Sequence, residues 1–277
     1  MEAKYLSDAK KLFENERISF LIDKEEQDKV EEQKQKVNLQ LYDTLSLART
    51  YLVDIFQGYD ATYSIAKSYI LFSAFRVLQG LYINDELDQE VVTHWMKQWD
   101  AQNCAALVQT MEPIAARMDI KAAKILELLG KLFDSEAMES LLDELKDNTL
   151  KEDYDRWSQD AKMLEKELQD FSDYFRNHYN LAFENYFVYT MFWELIPEVL
   201  DKDKLGKNFF NRVIIWCIIQ LCAMSIWKRK GEVTKEDYSL IVSGTEQSFS
   251  RRASYSAETD SILEEDNIAM LLLYLIC

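Results

Sequence analysis

The sequence predicts an all-α protein: a multi-helix array, built as one large domain or as two closely packed helical lobes. Three observations point there. Among 277 residues there are only 6 glycines and 2 prolines, well under ordinary usage of roughly 7% and 5%, and strand-and-turn architectures need those residues at their corners. Hydrophobic residues make up 48% of the chain, enough for a substantial core. Apolar positions recur at helical spacing in segment after segment.

Residues 5–13 read as a short amphipathic helix, and Ile18 to Ile22 as a small apolar link. Residues 24–37, charged and Gln-rich, read as either an exposed helical segment or a flexible loop. Leu39, Leu41, Leu45, Leu47, Leu52, Val53 and Ile55 give a helical face ending near Gly58. Thr62 caps the next helix, whose apolar side runs from Ile65 to Leu81. Asp85-Glu86 begins another, through Trp95 and Trp99, and Pro113 marks the first turn of one that runs to Leu129-Gly130. Ser135 is an N-cap candidate for a short helix carrying Leu141, Leu142 and Leu145.

Asp147-Asn148-Thr149 is the clearest break. It suggests an N-terminal helical lobe, 1–148, and a C-terminal helical lobe, 149–277, which also read as one continuous domain. Asp153 to Asn180 follows as one long, polar, aromatic-dotted helix, and the next passes through Tyr186 and stops at Pro197. Asp201 to Lys207 reads as a charged loop, and 208–229 as an apolar helix ended by Gly231. Thr234 caps a helix over 234–249, and Glu258 to Leu275 forms the last one, acidic at its start as the helix dipole favours.

Composition also excludes functions. There is no GxGxxG and no GxxxxGK[ST], so no Gly-rich phosphate cradle is present. The net charge of -17 repels a phosphate backbone, so nucleic acid is not an expected partner. Such a surface is simply well solvated, or it attracts lysine-bearing partners. The longest apolar run, Val213 to Trp227, is interrupted by Gln220 and Ser225 and falls short of the about 20 residues of a membrane span. With no N-terminal apolar segment of signal type in Met1 to Asp8, the expected location is cytoplasmic.

The four cysteines at 104, 217, 222 and 277 form no CxxC, and they read as reduced, buried small hydrophobes. His94 and His178 stand alone, so neither a metal-ligand spacing nor a Ser-His-Asp arrangement emerges. Each histidine reads as a packing or surface residue.

The aromatic residues between Tyr174 and Trp193 are a better candidate for chemistry. Positions 175, 179, 183 and 186 follow i, i+4, i+8, i+11 and would share one helix face. They pack a core, or they wall a pocket for a sulfonium or alkylated ammonium through cation–π contact. Glu184 and Asn185 lie inside this run. A buried Glu184 needs a partner, with Arg212 or Arg251 the obvious kind, or it receives a cation.

Three blocks resemble the bacterial flagellin lysine N-methylases. The first is Ala9-Lys10-Lys11-Leu12-Phe13 followed by Ile18-Ser19-Phe20. The second is Leu45 to Leu81, with Arg49, Ile55, Phe56 and Gln57 and the helix after Tyr63. The third joins Glu184-Asn185-Tyr186, Phe192 to Pro197, the apolar helix and Gln247 to Arg251. The middle, from about 85 to 180, matches only in helical character. The resemblance implies methyl transfer from S-adenosylmethionine to surface lysines of flagellin or another lysine-rich client. It also implies a cofactor- or substrate-binding site at Glu184, Asn185, Tyr186, Ser250 and Arg251, where Arg251 binds a carboxylate and Tyr186 stacks on a ligand.

The chain departs from that pattern twice. Members of the family carry a cysteine-rich segment expected to hold an iron–sulfur cluster. The cysteines here do not support one, so activity is expected to need a cysteine-bearing partner or segment. Where the family reads toward Glu-His after its serine–arginine pair, this chain has Ser254 and Tyr255. The competing expectation is a non-catalytic all-α interaction module that binds flagellin or another protein client.

Overall fold

A computed structural model describes residues 12–13, 39–58, 77–98, 106, 109, 117–179, 181–190 and 202–250. The segments 5–11 and 18–37, Thr62, Trp99, Cys104, Pro113, Pro197, Arg251 and the helix expected over 258–275 lie outside the described residues.

Among the described residues the fold is all-α. The helices are α1 (Leu39–Gly58), α2 (Gln89–Met96), α3 (Met118–Leu132), α4 (Glu136–Leu145), α5 (Thr149–Gln159), α6 (Ala161–His178), α7 (Ala182–Thr190), α8 (Lys202–Lys230) and α9 (Lys235–Ser250). None of them is long and apolar enough to cross a membrane. The organising element is α8, which at 29 residues is about 40 Å long. Every residue from Arg212 to Ser225 is buried. A helix apolar all round must be wrapped on all sides, and α5, α6 and α9 pack directly on it. Outside them, α4 packs on α9, α3 on α6 and on α5, and α1 on α2 and α7. Contacts thus run across residue 148 in both directions.

Local chemistry sets the helix ends. Ser135 caps α4 as expected, its Oγ accepting from the Met138 N–H at 3.3 Å. At α9 the cap is reciprocal: the Asp237 N–H donates to Thr234 Oγ1 at 3.1 Å, and the Thr234 N–H donates to Asp237 Oδ2 at 2.9 Å. Gly231 ends α8 with φ +79°, in the left-handed region glycine enters without strain.

Four boundaries differ from those the sequence suggests. Asp85 sits in a turn with φ +58°; α2 starts after Asp88, whose carboxylate accepts from the Val91 N–H at 2.8 Å. α3 runs past Gly130 to Leu132. Gly130 is there for close approach, because a Cβ on it would lie 3.0 Å from Tyr154 Oη. The long helix expected from Asp153 is two helices, α5 and α6, broken at Asp160. Its extended backbone (φ -142°, ψ 91°) and side chain recruit the Lys162 N–H at 3.1 Å, the competition that makes Asp a capping residue. Finally, 202–207 is the first part of α8. Gly206 costs a helix about 1 kcal/mol, and continuity with a buried helix outweighs that.

Candidate functional site at the α7–α8–α9 junction

α7 is buried over almost all of its length: of Ala182 to Thr190, only Tyr189 is partly exposed. It therefore buries the polar residues Glu184, Asn185 and Tyr186, each no more than 3% exposed. Burying polar groups is costly unless they are bonded, and two of the three show how they are satisfied. Asn185 Nδ2 donates to the Leu12 carbonyl at 3.2 Å, which ties the N-terminal residues into the core. Beside it, Phe13 stacks on Tyr238 at 4.0 Å between ring centroids and meets Tyr179 edge-on at 6.0 Å.

Tyr186 Oη donates to Glu246 Oε1 at 3.1 Å. The other oxygen of Glu246 accepts from Arg212 Nη1. One carboxylate thus links α7, α8 and α9. Burial, with the Glu246 carboxylate close by, raises the Tyr186 phenol well above its ordinary value. Burial alone would lower Arg212, but Glu246 outweighs it and holds the guanidinium above its usual range. Arg212 bonds Glu246, 34 residues away in sequence.

This junction brings two of the sequence-predicted segments together. Ser250 closes α9, one helical turn or about 6 Å beyond Glu246. The Tyr186–Glu246 bond therefore places the Glu184–Tyr186 segment beside the Gln247–Ser250 segment. Arg251 lies outside the described residues. Arg212 was legible as a base entering an apolar helix. Glu246, flanked by Thr245 and Gln247, carries no local signature.

The aromatic run is arranged differently from the single helix face the spacing suggests, because the chain turns between α6 and α7. Phe175, Phe183 and Tyr186 converge instead on Trp216 of α8, at centroid distances of 6.1, 5.6 and 5.0 Å. Phe175, Phe183 and Trp216 also line a cavity of about 40 Å³ together with Lys121, Ser172 and Gln220. Lys121 is itself buried.

The remaining candidates are quiet. Cys217 and Cys222 are free, buried thiols; burial pushes Cys222 up to about 12 and Cys217 higher still, the state of inert packing residues. His178 is exposed, donates from Nδ1 to the Tyr174 carbonyl at 2.8 Å, and stacks on the Tyr174 ring. His94 is exposed near the end of α2. Among the described residues, no group of three or more His, Cys, Asp and Glu side chains is placed to hold a metal ion.

The fold and this junction define an all-α domain whose buried polar residues lie where α7, α8 and α9 meet. The family described as FliB lysine N-methylase C-terminal domain matches residues 49–276, and the chain belongs to that family. No curated protein and no solved structure matches it.

Proposed function

We propose that this chain is the helical body of a lysine N-methyltransferase acting on flagellin or another lysine-rich client, with S-adenosylmethionine as the methyl donor. The observation that carries the reading is the Tyr186–Glu246 bond inside the family-matched region. It fastens the two motif segments to one another through a buried charge network, and perturbed buried groups concentrate at functional sites. Glu184, Asn185, Tyr186 and Ser250 border the proposed site, and Arg251 joins the candidates as a motif residue only. Arg212 and Glu246 position it by fixing α7 against α9. The net charge of -17 suits a basic client.

S-adenosylmethionine does not fit the cavity beside Trp216, which is too small for its adenosine and carries Lys121 in its wall. The polar atoms of Asn185 and Tyr186 are meanwhile bonded within the protein. No catalytic step is therefore routed through these residues. The same observation favours a second reading, a non-catalytic module that binds flagellin or another protein client.

Calorimetry of the full chain with S-adenosylmethionine, followed by mass spectrometry of flagellin incubated with both, separates the two. Micromolar binding, about -8 kcal/mol, with methyl groups appearing on flagellin lysines supports the methylase. Flagellin binding without binding of the donor supports the module.

A further inference from the structure

Leu12 and Phe13, both buried, are seated in a socket built by distant parts of the chain. Its floor is a corner of two rings, Tyr179 just past α6 and Tyr238 on α9, with centroids 4.8 Å apart and planes at 69°. Phe13 fills this corner, stacked on Tyr238 and edge-on to Tyr179. Phe175 backs the two rings at 6.0 and 6.1 Å. From α7, the Asn185 amide donates to the Leu12 carbonyl. These are the contacts a peptide ligand makes: a main-chain hydrogen bond gives affinity, and a pocket for a side chain gives specificity.

Three observations separate the socket from its occupant. The socket is held by bonds of its own: Tyr179 Oη donates to the Val233 carbonyl, and the Val233 N–H donates to Tyr174 Oη at 2.9 Å. Such a site is preorganised for a ligand. Tyr179, Asn185 and Tyr238 also fall within the family match of 49–276, and Leu12 and Phe13 fall outside it. The fit is incomplete as well, because the Tyr238 hydroxyl is buried with no hydrogen-bond partner. Asn185, which reads the main chain, stands next to Tyr186 and its bond to Glu246, so the socket adjoins the candidate site.

We propose that this socket is a peptide-docking site, that Leu12-Phe13 occupies it as an intramolecular stand-in, and that a client segment of the same chemistry displaces it. That chemistry is a large apolar residue followed by phenylalanine, with basic residues beside them. Lys10 and Lys11 precede the pair in the sequence, and the net charge of -17 attracts such a segment. The proposal rests on the reading of the chain as a binder of a protein client, which the methylase and the module share. A covalently joined occupant competes at high effective concentration, so a free peptide enters readily only once the occupant is weakened.

The test is fluorescence anisotropy of a fluorescein-labelled peptide with the sequence from Asp8 to Arg17, added to the full chain, unsubstituted and as Phe13→Ala. The expected result is saturable binding to Phe13→Ala, at least about tenfold tighter than to the unsubstituted chain, and at least about tenfold weaker when the peptide itself carries Phe13→Ala. No binding, or equal affinity for the two proteins or for the two peptides, overturns the proposal and leaves Leu12-Phe13 as ordinary core. If Phe13→Ala does not fold, Phe13→Leu, which keeps the position apolar, takes its place, with binding at least about threefold tighter than the unsubstituted chain expected and equal affinity overturning the proposal. Flagellin binding by the unsubstituted chain is measured alongside. Flagellin bound without peptide binding overturns the socket alone, and peptide bound without flagellin supports the socket and removes flagellin as its client.

Discussion

The two ends of α8 bury charge in contrasting ways. Toward its start, Arg212 is paired with Glu246, and Tyr186 closes the group from α7. At its other end, Lys228 reaches Asp153 at 3.1 Å and Glu167 at 2.6 Å. Its ammonium lies 5.3 Å from the centroid of the fully buried Trp157 ring. Trp157 in turn donates to Glu167 at 2.6 Å, and Arg156 also bonds Asp153. The first network joins α7, α8 and α9, and the second joins α5, α6 and α8.

The choice of base is instructive. Arginine stays charged wherever it is buried, whereas lysine yields to its surroundings. Burial lowers Lys228 despite its bond to Glu167. The lysine end is a strut, wrapped around a tryptophan and bonded to α5 and α6. The arginine end fastens the motif segments together. Comparable buried networks therefore have different standing: one is proposed to border a functional site, the other only holds helices in place.

The largest effects should test the charge pairs. Arg212→Leu leaves Glu246 without its guanidinium, and breaking a buried pair this way costs about 3–5 kcal/mol. Urea denaturation measures it, and a loss under about 1 kcal/mol would show the pair to be dispensable. Trp157→Ala removes the ring at the centre of the strut and should cost a similar amount, about 3–5 kcal/mol. Lys228→Met keeps most of the apolar stem and should cost less, about 2–3 kcal/mol, because water still reaches this ammonium. A cost equal to that of Arg212→Leu would erase the difference between the two ends.

Alkaline pH gives a further comparison. Burial raises Tyr179 to about 12, and raises Tyr186 and Tyr238 well above the ordinary phenol value. The fold keeps these protons while the unfolded chain loses them near pH 10. The stability they contribute is fully present below pH 10 and is lost as pH rises from there toward the folded values. Thermal melts at rising pH should show the decline, and Tyr179→Phe should flatten it. An unchanged slope would mean that other groups govern the alkaline limit.

Smaller still, Gly231→Ala forces a left-handed backbone on an L residue and should cost about 1 kcal/mol. Tyr238→Phe removes a buried hydroxyl with no hydrogen-bond partner. It should leave stability unchanged or raise it by up to about 1 kcal/mol.

How far the sequence could be read depends on range. Ser135, Thr234 and Gly231 announced their helix ends because capping is local chemistry. Asp160 did not, because the periodic aromatic and apolar positions continue across it, and only the fold-back that brings Trp157 to Glu167 shows the break. Gly206 looked like a loop and is helical, since propensity yields to the burial of a neighbouring stretch. At the candidate site, Glu184, Asn185 and Tyr186 were legible as polar residues in an apolar setting. The bond from Arg212 to Glu246 was not, because a partner 34 residues away leaves no periodic trace. Trp216 was likewise hidden as the point where the aromatic residues meet, because that is a property of helix packing.

The most direct test of the contrast between the two ends is calorimetry with S-adenosylmethionine on three proteins: the unsubstituted chain, Tyr186→Phe and Lys228→Met. The account predicts micromolar binding by the unsubstituted chain, at least about tenfold weaker binding by Tyr186→Phe, and unchanged affinity in Lys228→Met, with Tm lowered in both variants. Absence of binding by the unsubstituted chain, or equal weakening by both substitutions, would contradict it.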